Sequence, residues 1–173
     1  MATTYTLIAS NTLSSSAASV TFSAIPNTFT DLVLKLSTRT DVAGQAIKSI
    51  TMTFNSIGGT AYSSTRLQGD GNSVASGRVS NAANAVIHFA SEGATATSNT
   101  FSNNEIYIPN YSGSTNKAIS SISAQEDNIT NAYLVAHAIL LSDTSAINSI
   151  TLSVASDNFV SGSSFFLYGI KNS

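Results

Sequence analysis

The sequence is poor in charge and contains neither cysteine nor tryptophan. Only 9% of its 173 residues are Asp, Glu, Lys or Arg, and the formal net charge is −2. A charge balance this small provides no basic surface, so we predict no nucleic-acid partner. Without cysteine, the chain has no disulfide, no thiolate metal ligand and no cysteine nucleophile.

Targeting and membrane-spanning segments are also missing from the pattern. The first residues, MATTYTLIAS, contain no basic stretch followed by a long apolar run, so we expect no secretory signal. The most apolar segment, Tyr133–Leu141, is far shorter than the ~20 residues that a membrane helix needs. We therefore expect a soluble protein that is made in a cytoplasm and has no membrane partner.

What is present is a large apolar fraction spaced by Ser, Thr, Asn and Ala. Hydrophobic residues make up 42% of the chain, enough to build a core and to disfavour disorder. The length fits one domain, which we place over residues 1–173. Hydroxyls and amides take the surface positions where charges usually lie, which is typical of a surface that packs against neighbouring molecules.

Apolar residues recur with a period of two, the signature of half-buried strands. In Asp31–Ser37, for example, Leu32, Leu34 and Leu36 share one face. Eleven segments have strand character: Thr4–Ile8, Ser19–Ala24, Asp31–Ser37, Ser49–Phe54, Ala61–Leu67, Ala85–Ala90, Thr100–Ile108, Lys117–Gln125, Ala132–Leu141, Ser149–Val154 and Ser163–Ile170. The fold class predicted is all-β, an antiparallel β-sandwich of jelly-roll or Greek-key type.

Two further patterns bear on the architecture. Val74–Ala85 and Asp143–Ile147 could each hold a helical turn, since neither alternates cleanly. Residues 46–53, AIKSITMT, are echoed by residues 146–153, AINSITLS. The echo either marks a two-part sandwich or reflects the general likeness of strands rich in Ser and Thr.

The search for chemistry finds no clear site. His88 and His137 lie inside strand patterns with no metal-ligand spacing, so we predict that both are core or cross-strand residues. We expect no catalytic residue, no metal and no cofactor, and predict that the chain is not an enzyme. A glycosidase-like alternative would need two carboxylates within roughly 5–10 Å of each other in a groove. The candidates for that pair are Glu92, Glu105, Glu126, Asp127, Asp143 and Asp157.

Two loops contain features of a binding site. Gln68–Ser73 is rich in Gly, Asp and Asn but lacks the regular acid spacing of a calcium loop, so a hairpin turn is favoured. Tyr107 and Tyr111 flank a Pro-Asn turn and could stack on a sugar or anchor a protein contact. The simpler interpretation is that Tyr107 alternates outward and Tyr111 closes one end of the sandwich.

Several segments resemble a group of small proteins from tailed phages of marine and freshwater bacteria, of the cyanophage and pelagiphage kind. The similar stretches are ATTYTLIAS at residues 2–10, VTFSAIPNTFTDL at residues 20–32, EIYIPNY at residues 105–111 and LYGIKNS at residues 167–173. The resemblance implies a virion protein, assembled in the host cytoplasm, and names no activity.

Within a phage particle, we expect a head decoration or cement protein on the outside of the capsid shell. Its partner would be the major capsid protein of the same phage, and the protein would form a homo-oligomer, with a trimer favoured. Arg39, Arg66 and Arg78 are candidate anchors to an acidic partner surface, although ordinary surface charge explains them equally well. The alternative is a tail-fibre, receptor-binding or carbohydrate-binding module that contacts a glycan of the host surface.

Overall fold

The computed structural model describes residues 4–128 and 132–171, and within these ranges all regular structure is β. No helix that could cross a membrane occurs in this part of the chain. The strands are β1 (Tyr5–Thr12), β2 (Ser19–Phe22), β3 (Asp31–Ser37), β4 (Ile47–Phe54), β5 (Tyr62–Gly69), β6 (Val74–Ala82), β7 (Ala85–Glu92), β8 (Asn103–Ile108), β9 (Lys117–Glu126), β10 (Ala132–Leu141), β11 (Ile150–Ser153) and β12 (Ser164–Ile170).

The strands form two antiparallel sheets that pack face to face. The larger sheet has the order β1-β12-β3-β8-β9-β10-β5-β6, and the smaller has the order β2-β11-β4-β7. Strands that are distant in sequence lie side by side, as β3 does between β12 and β8, which is a Greek-key feature. The predicted antiparallel β-sandwich is confirmed.

The core lies between the two sheets and follows the period of two. On β3, Leu32, Leu34 and Leu36 are buried and face inward, while Lys35 is exposed on the other side. The small sheet contributes Ile50, Met52 and Phe54 from β4, among other residues, to the same apolar cluster. Alternation therefore fixes which face of each strand is inward.

Two helical turns predicted from the sequence are not found. Val74–Ala82 is strand β6, which pairs with β5 from Gly69 to Tyr62 along the edge of the large sheet. Asp143–Ile147 is an irregular loop. In the first case a hairpin turn decides the outcome: Asp70 Oδ1 accepts the amides of Asn72 and Ser73 at 2.9 and 2.6 Å. The turn predicted for this loop is thus confirmed.

The two echoed segments form neighbouring strands. β4 and β11 pair antiparallel in the small sheet, and Met52 lies directly opposite Leu152, its equivalent in the echo. On the outward face of the same pair, the Thr51 hydroxyl contacts the Ser153 hydroxyl at 2.8 Å. The outward face of the small sheet is thus lined with hydroxyls, and these bond to one another across strands.

Candidate functional site

The outward face of the large sheet carries the exposed apolar side chains of the molecule. Cross-strand pairing places Leu7 beside Tyr168, and Ile122 beside Ala136, on this face. Every large hydrophobic residue that is exposed within the described ranges lies here: Tyr5, Leu7, Leu67, Val74, Ile122, Leu134 and Leu140. Exposed apolar residues gathered on one face mark a contact surface.

Part of this face forms what we call the aliphatic patch: Leu67, Val74, Ile122, Leu134 and Leu140. These residues come from β5, β6, β9 and β10, and their exposed fractions run from 39% to 76%. A shallow depression of about 250 Å³ lies among Leu67, Val74, Ile122 and Leu134. Between the large side chains, the outward positions of β9 and β10 hold Ala118, Ser120, Ala124, Ala136 and Ala138.

The rest of the face forms what we call the tyrosine patch: Tyr5, Leu7, Tyr107 and Tyr168. The rings of Tyr5 and Tyr168 meet edge to face, with centroids 6.2 Å apart. Beside them, Lys35 Nζ and Glu105 Oε2 form an exposed ion pair at 2.6 Å. The hydrogen bond to Glu105 raises the pKa of Lys35, so the ammonium stays charged at neutral pH.

Tyr107 faces outward as the sequence predicts, but its hydroxyl is engaged within the molecule. The hydroxyl donates to Asp31 Oδ2 at 2.7 Å, and this bond raises the pKa of Tyr107. The amide of Asn110 donates to the other Asp31 oxygen at 2.8 Å. The hydrogen bond to Asp31 therefore fixes the orientation of the Tyr107 ring. The edge of this ring borders a depression of about 360 Å³ that is also lined by Lys35 and Glu105.

The prediction that the second tyrosine, Tyr111, is a contact residue is wrong. It is fully buried, and its hydroxyl donates to the backbone oxygen of Pro26. The ring packs into the apolar cluster, and the backbone oxygen of Tyr111 accepts the amide of Ile147 at 2.9 Å. The alternative interpretation of Tyr111, closing one end of the sandwich, is the one that its burial supports.

The three candidate arginines have different surroundings. Arg39 is occupied internally: its two terminal nitrogens donate to the backbone oxygens of residues 94, 96, 97 and 100 at 2.8 to 3.2 Å. This arginine holds the loop between β7 and β8 in place. An anchoring role would require these four bonds to break, which makes Arg39 a structural residue.

Arg66 is also held within the fold. Its Nε donates to Gln68 Oε1 at 2.7 Å, and its guanidinium lies beside His88 Nε2 at 3.1 Å. A Cβ at Gly77 would approach the guanidinium to 2.9 Å, so glycine leaves the space that Arg66 fills. Arg78 is the exposed arginine of the three, on the outward side of edge strand β6 opposite Thr65.

Both histidines lie between strands, as predicted. His137 is buried, accepts the backbone amide of His88 through Nε2 at 3.0 Å, and contacts the Ser121 hydroxyl through Nδ1 at 3.0 Å. The two imidazoles stack with centroids 6.0 Å apart. Burial lowers the pKa of His137 to about 4, and the charges of His88 and Arg66 act in the same direction. His137 is therefore neutral near pH 7.

Two of the six candidate carboxylates for a glycosidase-like pair, Glu92 and Asp127, lie in the interior of the sandwich. Glu92 is fully buried, and among the described residues its oxygens meet no partner at good hydrogen-bond geometry. Burial raises the pKa of Glu92, whereas the backbone amide of Glu126, which approaches the carboxylate, lowers it. Nearby Asp127 and the Glu126 carboxylate raise this pKa, and Arg39 lowers it. Asp127 is also buried. Glu92 and Asp127 are therefore buried acids, whereas Glu126 is exposed at the end of β9.

Glu92 belongs to a wider group of buried polar side chains between β7 and the large sheet. Atoms without a hydrogen-bond partner occur on Glu92, Asn104, Ser123 and Gln125. Asn104 and Ser123 are direct cross-strand neighbours, and Gln125 lies two residues further on the same inward row. Within residues 4–128 and 132–171, no cluster of three or more His, Asp or Glu side chains could hold a metal ion.

The sequence held signals for some features that were missed. Along β10, Leu134 and Leu140 alternate with the buried Val135, Ile139 and Leu141, so this strand is apolar on both faces. Near-continuous apolar runs are typical of strands whose two faces are both covered. Buried Lys117, whose ammonium donates to three backbone oxygens, had no such signal.

Comparison with known proteins adds little to this geometry. No protein family model matches the chain, and no curated protein matches it either. Among solved structures, an exo-inulinase from Aspergillus awamori is similar over 96% of this chain and 29% of its own, with 10% identity and a TM-score of 0.48. The chain thus spans less than a third of that enzyme, and a likeness this weak carries no argument about activity.

Proposed function

We propose that this protein is a structural component of a phage particle that acts by contact and not by chemistry. In this proposal it is a head decoration or cement protein bound to the major capsid protein. The observation that supports it best is the concentration of exposed apolar side chains on one outward sheet face. That the particle is a phage is inferred from the resemblance of the chain to proteins of tailed phages.

The tyrosine patch is the surface that we assign to the shell contact. Tyrosine rings bring large contact area with few rotatable bonds and are enriched where binding energy concentrates. The Lys35–Glu105 pair beside them is already neutralised, so the patch brings little net charge to a partner. We expect added salt to weaken attachment only slightly, because few ion pairs form across the contact.

Counting copies on purified particles by cryo-electron microscopy tests this function. Hundreds of copies on the shell would support decoration, whereas a few copies at the tail would contradict it. In a binding assay on particles that lack the protein, Tyr5→Ser should lower occupancy about tenfold, as loss of a contact residue does. Thr21→Ser, on the outward face of the small sheet, is the control and should bind as the unmodified protein does.

A carbohydrate-binding module is the second candidate. The observation that favours it is the depression beside Tyr107, in which Lys35, Asn103 and Glu105 offer polar groups next to a ring edge. Sugars bind through such combinations of an aromatic ring and hydrogen-bonding groups. Purified host polysaccharide should then bind the protein and lose affinity in Asn103→Ala; absence of binding by calorimetry would remove this candidate.

A further inference from the structure

We infer that the aliphatic patch binds a second copy of this chain in a two-fold, face-to-face dimer. The patch lies on β5, β6, β9 and β10, and the dimer would also cover β8, which carries Tyr107 of the tyrosine patch. Tyr5, Leu7 and Tyr168, on β1 and β12, lie outside the dimer contact. The two surfaces therefore meet at β8, and each proposal has its own test: mass in solution for the dimer, and occupancy on particles for the shell contact.

The uncharged, apolar surface of the aliphatic patch is suited to contact with the same patch on a second copy. The outward positions of β9 and β10 carry Ala, Ser, Ile and Leu and no charged residue from Ala118 to Ala124 or from Leu134 to Leu140. A strongly acidic or basic partner would find no counter-charge there, while a second copy of the same patch needs none. The small Ala and Ser side chains between the leucines let two sheets approach to ~10 Å, the usual spacing of stacked sheets.

The size of the surface also fits a dimer. From β8 to β6 the face spans five strands, which at ~4.8 Å per strand is ~24 Å. About eight residues along each strand give ~27 Å, so one copy would cover ~650 Å² and the pair ~1,300 Å². Specific protein interfaces begin at ~1,200 Å² in total. The area that the face provides therefore reaches what a stable dimer needs.

Rim charges give the arrangement an orientation. Arg78 lies on β6 at one side of the patch, and Glu105, which also pairs with Lys35 of its own chain through Oε2, lies on β8 at the other side. A two-fold axis that runs along β10 would lay β6 of one copy over β8 of the other. Successive cross-strand pairs form a line across the sheet from Glu105 on β8 to Ser76 on β6, through Ile122, Ala136 and Leu67. Arg78 is two residues from Ser76, within reach of the Glu105 of a second copy.

The test measures mass in solution by sedimentation velocity and light scattering, without any particle present. We expect the purified protein to form a dimer of twice 17.9 kDa. Ile122→Lys should give a folded monomer whose thermal midpoint no longer depends on protein concentration, because the lysine would lie at the centre of the contact. Thr21→Lys, which adds the same charge to the outward face of the small sheet, should remain dimeric.

The charge arm tests the orientation. Arg78→Glu should weaken the dimer at least tenfold, because it faces the acidic Glu105 of the second copy, and adding Glu105→Gln should recover most of that loss. A monomer or a trimer for the unmodified protein would overturn the inference. So would a dimer that survives Ile122→Lys; if this variant does not fold, Leu134→Thr decides the question in the same way.

Discussion

The interior of the sandwich has two halves that differ in chemistry. In the apolar half, Phe165 meets Phe159 edge to face at 5.0 Å among Leu34, Ile106 and Leu167, all fully buried. In the polar half, under β7, the buried residues include Glu92, Asn104, Ser123, Gln125 and His137. Transfer of the apolar half out of water is favourable, whereas burial of polar groups in the second half costs free energy unless they are hydrogen-bonded.

This difference teaches where stability and its pH dependence come from. Burial of aliphatic and aromatic surface in the apolar half supplies stabilisation that no titration alters. In the polar half, burial favours the neutral forms of His137 and Glu92, so protonation equilibria there are coupled to folding. Four sets of variants test this contrast, and they follow in order of expected effect.

Phe165→Ala should have the largest effect. It removes a fully buried ring and its edge-to-face contact, and should lower the free energy of unfolding by about 4 kcal/mol at every pH. Phe166→Ala is the matched control, since Phe166 faces outward and is only partly buried; it should cost about 1 kcal/mol or less. Equal losses in urea unfolding would contradict the assignment of the two faces.

His137 should make the protein sensitive to acid. Its folded pKa of about 4 lies below its ordinary value of 6.5, so the unfolded chain takes up the proton first. The stability that neutral His137 contributes is present above pH 6.5 and falls by about 3 kcal/mol by pH 4. Unfolding measured across this range should show a flatter profile in His137→Gln. Parallel profiles for the two proteins would exclude this role.

Glu92 should act in the opposite direction. Because its folded pKa is raised, the stability of the neutral form is complete at low pH and is lost as the pH rises through the folded pKa. Glu92→Gln keeps the shape without the charge and should gain about 1–2 kcal/mol at pH 7, with the gain fading in acid. Glu105→Gln, at an exposed ion pair, should change the unfolding free energy by about 0.5 kcal/mol or less.

Substitutions of two inward-facing serines on β9 should change stability least, and the two changes should differ in sign. Ser121 contacts His137 through its hydroxyl, whereas Ser123 Oγ has no partner. Ser121→Ala should therefore cost about 1 kcal/mol, and Ser123→Ala should be neutral or stabilising by about 0.5 kcal/mol. Thermal midpoints measured side by side decide the matter, and a larger loss for Ser123→Ala would mean that its hydroxyl is satisfied.

Sequence patterns predicted the fold more successfully than they predicted which residues lie at a contact surface. The alternation in Asp31–Ser37 gave both a strand and its buried face, since side-chain direction in a strand depends only on position. Strand β6 was missed because its small and polar residues carry little alternation, and only pairing with β5 makes it a strand. Tyr111 was misassigned as a contact because the local sequence does not show that its loop folds inward.

The sequence by itself determined that this chain forms strands, which faces of most strands are inward, and that cysteine chemistry is excluded. Tertiary structure decided which strands became neighbours, so it alone gathered the exposed side chains of β5, β6, β9 and β10 into one patch. It also brought Glu92 beside Asp127 and set Arg39 among backbone oxygens. The physical reason is range: alternation is a property of adjacent residues, whereas these contacts join residues far apart in the chain.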